Sequence, residues 1–258
     1  MKVVKNLIWV VALIAVIVFI GVVGFGYYKK LTYTVQNPVA TIEVENFGTI
    51  KVELYPDQAP ETVANFVKLA NNGFYDGTTF HRVISDFMIQ AGTKDGDGST
   101  DATLGDLQGD DSTDEYTITG EFLANKINNS IKFEEGTIAM ARADYTSYSS
   151  SLTEESYNSG CSQFFIMTAE NTGLNGNYAG FGKVIEGLDV VHSIEAVEVT
   201  TAEGEEEDDD AEVSTPVDPP KVTSIRVETY DVDYGMPETL EPFDYTSWLY
   251  SQYGVSGY

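Results

Sequence analysis

The chain has 258 residues, 42% hydrophobic and 12% aromatic, which allows one substantial buried core and excludes a wholly disordered protein. Its formal net charge of −27 repels phosphate backbones and excludes nucleic acid as a partner. A single cysteine, Cys161, excludes an internal disulfide and any multi-cysteine metal site.

Residues 1–30 read as a membrane anchor. Leu7 to Tyr28 form 22 residues without a charge, bracketed by Lys2 and Lys5 before and Lys29 and Lys30 after. At 1.5 Å per residue this is roughly 33 Å of helix, enough to cross a hydrocarbon core of about 30 Å. The rival is a cleaved signal peptide, whose apolar core runs about 7 to 15 residues; Gly24 and Gly26 offer it only a poor cleavage site. Lysines are level on the two sides, so flanking charge does not orient the span. The expected arrangement is a signal anchor in the cell membrane, short end inside and domain on the extracytoplasmic side.

Residues 31–37 are a polar spacer, and a domain spans 38–230. Ile42 and Val44, then Ile50, Val52 and Leu54, alternate with polar residues around Asn46-Phe47-Gly48, the signature of a β-hairpin. In "DQAPETVANFVKLANNG", Pro60 suits a first helical turn, Val63, Phe66, Val67 and Ala70 recur at helical spacing, and Gly73 follows the end. Residues 93–115 read as a Gly/Asp/Thr/Ser loop. "YTITGEF", "GTIAMARA", "SQFFIMTA" and "AGFGKVI" are predicted strands, and Ser and Tyr crowd a surface insertion at 144–160. "LDVVHSIEAV" is a second helix with Val190, Val191 and Ile194 on one face; the acidic insertion 203–212 separates it from a last strand, "KVTSIRVETY". Many short strands and two helices predict a mainly β fold, a closed barrel with helical plugs. The tail 231–258 is acidic and rich in tyrosine, and either docks on the domain or a partner, or stays flexible.

Most motifs have a plain structural reading. "DGDGSTD" at 95–101 alternates acids, but an EF-hand frame from Asp95 puts Thr100 where glycine belongs and Asp106 at the twelfth position, so an ordinary acidic loop is expected. His81 and His192 have no partner at metal-ligand spacing, and no nucleophile accompanies them. No metal and no cofactor are expected. "FHRVISDFMIQAG" at 80–92 is the exception, because it sets Arg82 and Gln90 among Phe80, Val83, Ile84, Phe87, Met88 and Ile89, a mixture that a simple buried strand would not use.

That stretch, with "PETVANFVKLANNGFYDGTTFHR", "GTIAMARA", "SQFFIMTA" and "LNGNYAGFGKVIEGLDVV", resembles the cyclophilin family of peptidyl-prolyl cis-trans isomerases, in family order and over 38 to about 230. The resemblance implies a closed eight-stranded antiparallel barrel capped by two helices, and isomerisation of X-Pro bonds in proline-containing polypeptides without a cofactor. Arg82 matches the catalytic arginine and Gln90 the glutamine that bonds the substrate backbone. Phe87, Met88, Phe165 and Leu174 match the proline pocket, and Gln163 a further polar pocket residue. Ala141 and Arg142 match the segment that pairs with the peptide, and His81 a residue beside it. Gly173 stands where many members place a tryptophan, and Tyr178 where they often place histidine. The resemblance therefore implies weak cyclosporin binding, with Tyr178 keeping an aromatic wall. The expected function is assistance to proteins folding outside the membrane. The alternatives are a proline-peptide binding module or chaperone with little turnover, and a surface interaction protein acting through its acidic loops and tail.

Overall fold

Residues 14–25 are one α-helix, α1, of roughly 18 Å at 1.5 Å per residue. The computed structural model describes residues 14–25, 36–96, 98–201 and 212–252. Among them no helix is long and apolar enough to cross a membrane. The expected span 7–28 extends past α1 on both sides, and its remaining residues lie outside the described ones. The chain divides into two units, Met1–Gln36 and Asn37–Tyr258.

In the second unit the alternating pattern becomes β1 (Val39–Val44) and β2 (Gly48–Leu54), with Ile42 opposite Ile50. Asn46 and Gly48 turn the chain with φ of 63° and 127°. Helix α2 (Pro60–Asn71) starts on its proline and buries Val63, Phe66, Val67 and Ala70. Its N-cap, Ala59, has no side-chain acceptor. The buried carboxylate of Glu121 supplies one from far along the chain, accepting the Glu61 and Thr62 amides at 3.0 and 2.8 Å and the Thr62 hydroxyl at 2.7 Å. Phe66 centres the core, its ring 5.3 Å from Tyr75, 5.5 Å from Phe164 and 5.2 Å from Phe181.

The stretch at 80–92 is itself a hairpin of two strands, β3 (Phe80–Ile84) and β4 (Met88–Ala91), turning at Asp86 with φ of 56°. "YTITGEF" shrinks to a two-residue β5 (Thr117–Ile118). β6 (Thr137–Met140), β7 (Phe164–Met167) and β8 (Gly180–Glu186) follow, then α5 (Leu188–Glu195), with β11 (Val222–Glu228) completing the sheet. The order β11-β1-β2-β8-β6-β7-β4-β3 is antiparallel throughout. α2 packs on β11, and α5 on β2 and β4.

The expected closed barrel is instead an open, curled half-barrel whose edges are β11 and β3. They meet at a single bridge, Thr79 with Lys221, flanked by Phe80 N–H to Pro220 O at 2.9 Å and Val222 N–H to Thr78 O at 2.8 Å. Extending that ladder along β3 would need the Pro220 amide to donate to Phe80 O, and proline has no N–H. The seam stops there.

Other elements depart from the sequence reading. The 93–115 loop holds a short helix, α3 (Leu104–Gln108), capped by Thr103 and Asp106 and closed by Gly109 at φ 78°. The 144–160 insertion carries two 3₁₀ turns and α4 (Thr153–Tyr157). β9 (Val199–Thr201) pairs with β10 (Val213–Pro216) on either side of the acidic insertion, of which only Glu212 lies among the described residues. The tail touches its own domain at Thr239, Leu240, Phe243 and Tyr245. β12 (Thr239–Leu240) pairs with β5, and α6 (Tyr245–Gln252) places Tyr245 4.7 Å from Tyr148, while Phe243 lies 4.7 Å from Tyr145.

Candidate functional site

Strand alternation gives the curled sheet two faces. Val83, Ile89, Ala91, Ile138, Phe164 and Ile166 enter the main core, while Met88, Ala139, Phe165 and Met167 form a second cluster on the other face with Phe133. The registers then align one row across four strands: Arg82 opposite Gln90, Gln90 opposite Phe165, and Phe165 opposite Ala139. This answers the oddity of the stretch. A residue type unfit for the core faces away from it.

The row opens into a cavity of ≈ 330 Å³ lined by Arg82, Phe87, Met88, Gln90, Ala141, Arg142, Phe165, Leu174 and Tyr178. Its apolar floor is aromatic, with Phe165 6.2 Å from Phe133 and 5.7 Å from Tyr178, the latter edge-on. Arg82 Nη1 donates to Gln90 Oε1 at 3.3 Å, and Gln90 Nε2 to Gln163 Oε1 at 2.9 Å. On its other edge Arg82 donates from Nε and Nη2 to Glu212, at 2.6 and 2.7 Å. Those hydrogen bonds hold the Glu212 carboxyl below its ordinary value. A second guanidinium, that of Arg142, stacks 4.6 Å over Tyr178 while its Nε donates to Asn177 O at 3.2 Å. Ala141 N–H donates to Gln163 O at 2.9 Å.

Two expected site residues lie off this cavity. His81 is buried at 8% exposure, with Nδ1 3.5 Å from the Thr93 hydroxyl. Gln163 lines a neighbouring cavity of ≈ 190 Å³ with Asp101, Ser159 and Tyr145, and donates to Asp101 Oδ1 at 3.2 Å. Burial pushes the Asp101 carboxyl above its ordinary value, against hydrogen bonds from Gln163 and Ser162. Phe133, Asp101 and Glu212 were missed by sequence reasoning. Phe133 sits outside every alternating run, and the two acids are indistinguishable in sequence from their solvated neighbours.

Among the described residues no group of acids, histidines and cysteine is arranged to hold a metal ion. The site offers cationic donors beside an apolar, ring-sized cavity. It can bind an extended peptide with a small apolar ring, and donate a charged hydrogen bond to it.

Known proteins agree with that chemistry. The family model for cyclophilin type peptidyl-prolyl cis-trans isomerase matches residues 39–227. A peptidyl-prolyl cis-trans isomerase of Acinetobacter baylyi is 35% identical over 189 residues, covering 71% of this chain and 82% of that protein. The isomerase cyp18 of Streptomyces antibioticus is 33% identical over 73% of this chain and 99% of its own length. Larger relatives share only this portion: cyp15 of Rhizopus delemar is 40% identical over 152 residues, 20% of its length. The crystal structure of a Cryptosporidium parvum cyclophilin type isomerase superposes with a TM-score of 0.56 at 25% identity, covering 74% of this chain and 98% of that one. The same protein was also solved in the presence of the dipeptide Ala-Pro. The chain belongs to the cyclophilin-type peptidyl-prolyl cis-trans isomerases, enzymes that interconvert the two forms of the X-Pro bond.

Proposed function

We propose that this chain isomerises X-Pro bonds by seating the proline ring against Phe165 and donating a charged hydrogen bond from Arg82 as the amide twists. Rotation about the bond faces a barrier near 20 kcal/mol, with uncatalysed times of about 10 to 100 s. No covalent bond to a neighbouring atom breaks, so neither nucleophile nor metal is needed. As conjugation is lost the proline nitrogen becomes pyramidal and its lone pair becomes an acceptor. A fixed donor there stabilises the twisted amide more than either planar form. For turnover of about 10 to 1,000 s⁻¹ the acceleration is on the order of 10² to 10⁵, or about 3 to 7 kcal/mol. One charged hydrogen bond contributes about 1.5 to 4 kcal/mol of this, and the water-poor cavity that seats the ring contributes the remainder.

The observation that carries this reading is the row Arg82, Gln90, Phe165, which brings a cation, a backbone-binding amide and an aromatic floor to one cavity. The Ala-Pro dipeptide used with the Cryptosporidium protein supports a proline-containing polypeptide as the substrate. Exchange NMR on an Xaa-Pro peptide tests it. Arg82→Ala is expected to slow the catalysed exchange at least about tenfold while the fold is retained. An undiminished rate would remove Arg82 from the chemistry.

The same reading places the enzyme at the cell membrane through residues 7–28, with its domain outside, serving proteins that fold there. The uncharged stretch supports this, and α1 makes its middle helical. Protease added to intact cells is expected to digest the domain; complete protection would reverse the orientation. Weak cyclosporin binding belongs to the proposal as well, because Gly173, next to Leu174 of the cavity lining, offers no indole to a large apolar ligand.

A further inference from the structure

Arg82 is gripped on the edge that faces away from the cavity. Glu212 takes its Nε–H and an Nη2–H in a two-pronged fork, at 2.6 and 2.7 Å, and does not line the cavity. The carboxylate is itself held, since the Ser214 hydroxyl donates to Oε1 at 2.7 Å from a largely buried position. Ser214 lies in β10 and Glu212 immediately precedes it; β10 packs on β3, the strand that carries Arg82. The other amino group, Nη1, faces cavity residues: Gln90 Oε1 at 3.3 Å and Met88 Sδ at 4.0 Å.

We propose that Glu212 is a positioning residue for the isomerisation: it fixes the plane of the Arg82 guanidinium so that Nη1 is presented to the bound prolyl amide before the substrate arrives. This rests on the reading of Arg82 given above. An arginine side chain turns about four bonds, and a guanidinium free on its outer edge spreads over several rotamers, few of which aim a donor at the amide. Clamping the Nε/Nη2 edge removes that spread and keeps Nη1 on the cavity side, where only its 3.3 Å hydrogen bond to Gln90 remains to be exchanged for the prolyl amide. The opposite role, a carboxylate that masks the arginine, would require Glu212 on the cavity side. It lies on the other edge.

A double-mutant cycle on the full chain separates the outcomes, with exchange NMR at saturating Xaa-Pro peptide for turnover and a peptide titration for binding. E212A is expected to lower turnover about 3- to 30-fold while the peptide dissociation constant moves less than about twofold. S214A, which loosens the clamp without removing charge, moves turnover the same way and less. In the Arg82→Ala background E212A adds no further loss, and the Arg82 Nε–H resonance, sharp in the parent, broadens in E212A. Unchanged or faster turnover in E212A overturns the proposal, as does an equal loss in both backgrounds, which marks a structural role. If Arg82→Ala itself keeps full turnover, the reading of Arg82 fails first and the clamp has nothing to position.

Discussion

Gly173 shows how one residue sets what the cavity holds. It sits in a 3₁₀ turn, its amide accepted by Asn171 Oδ1 at 3.0 Å, beside Leu174 on the cavity wall. A tryptophan there would bury roughly 150 to 250 Å² against a large apolar ligand, worth several kcal/mol at about 25 cal/mol per Å². Cyclosporin is therefore expected to bind with a micromolar or weaker dissociation constant by calorimetry, and Gly173→Trp to tighten it at least about tenfold. A Cβ at this position meets Asn171 Oδ1 at 3.1 Å, so that side chain must give by a few tenths of an ångström. A nanomolar parent would refute the argument. Arg82, Gln90 and Phe165 were legible because cyclophilin motifs carry them in fixed order, and strand register then brings them side by side. Glu212 was not, because nothing in "EGEEEDDDAE" marks which acid meets a guanidinium 130 residues away. His81 matches a family position beside the substrate; here it is the extra residue where the β3–β4 register shifts between Phe80 and Arg82, off the cavity, with Nδ1 3.5 Å from the Thr93 hydroxyl.

At the scale of elements, α5 is tied to the hairpin that carries the site. His192 Nδ1 pairs with Glu195 Oε2 and Nε2 with Glu135 Oε1, both at 2.8 Å, and Glu195 Oε1 accepts the Asp86 amide at 2.7 Å in the β3–β4 turn, just before Phe87. The hydrogen bond to Glu195, with help from Glu135, raises the His192 pKa above its ordinary value near 6.5. A group raised on folding contributes fully below its unfolded pKa and loses that contribution as pH rises through the folded one. The stability advantage of the parent over His192→Asn in urea unfolding should thus shrink from about pH 6.5 upward. An advantage that grows with pH would contradict the pairing. β1, β2, α2 and α5 were legible because each has a clean period of two or 3.6. β9, β10 and β12 were not, since strands of two to four residues show no period and exist only through partners distant in sequence. The capping box of α3 was a readable signal hidden among acids that suggested a loop.

For the whole molecule, the resemblance implied the eight strands of the main sheet but not its opening, which depends on Pro220 meeting Phe80 of β3. The tail likewise gave no sign of where it would go, and it packs Phe243 and Tyr245 onto the insertion that holds Tyr145, a wall of the second cavity. The sheet has one more consequence, for the time at which the enzyme comes into being. β1 lies between β2 and β11, with Val39 opposite Glu228. A ribosome adding about 5 to 20 residues per second delivers β11 roughly 10 to 40 s after β1. Throughout that interval β1, whose only charge is Glu43, presents an open row of amides and carbonyls, the template on which nascent chains pair with one another. An isomerase whose reaction takes about 10 to 100 s uncatalysed thus begins with a comparable wait of its own, its sheet's first strand complete and its last not yet made.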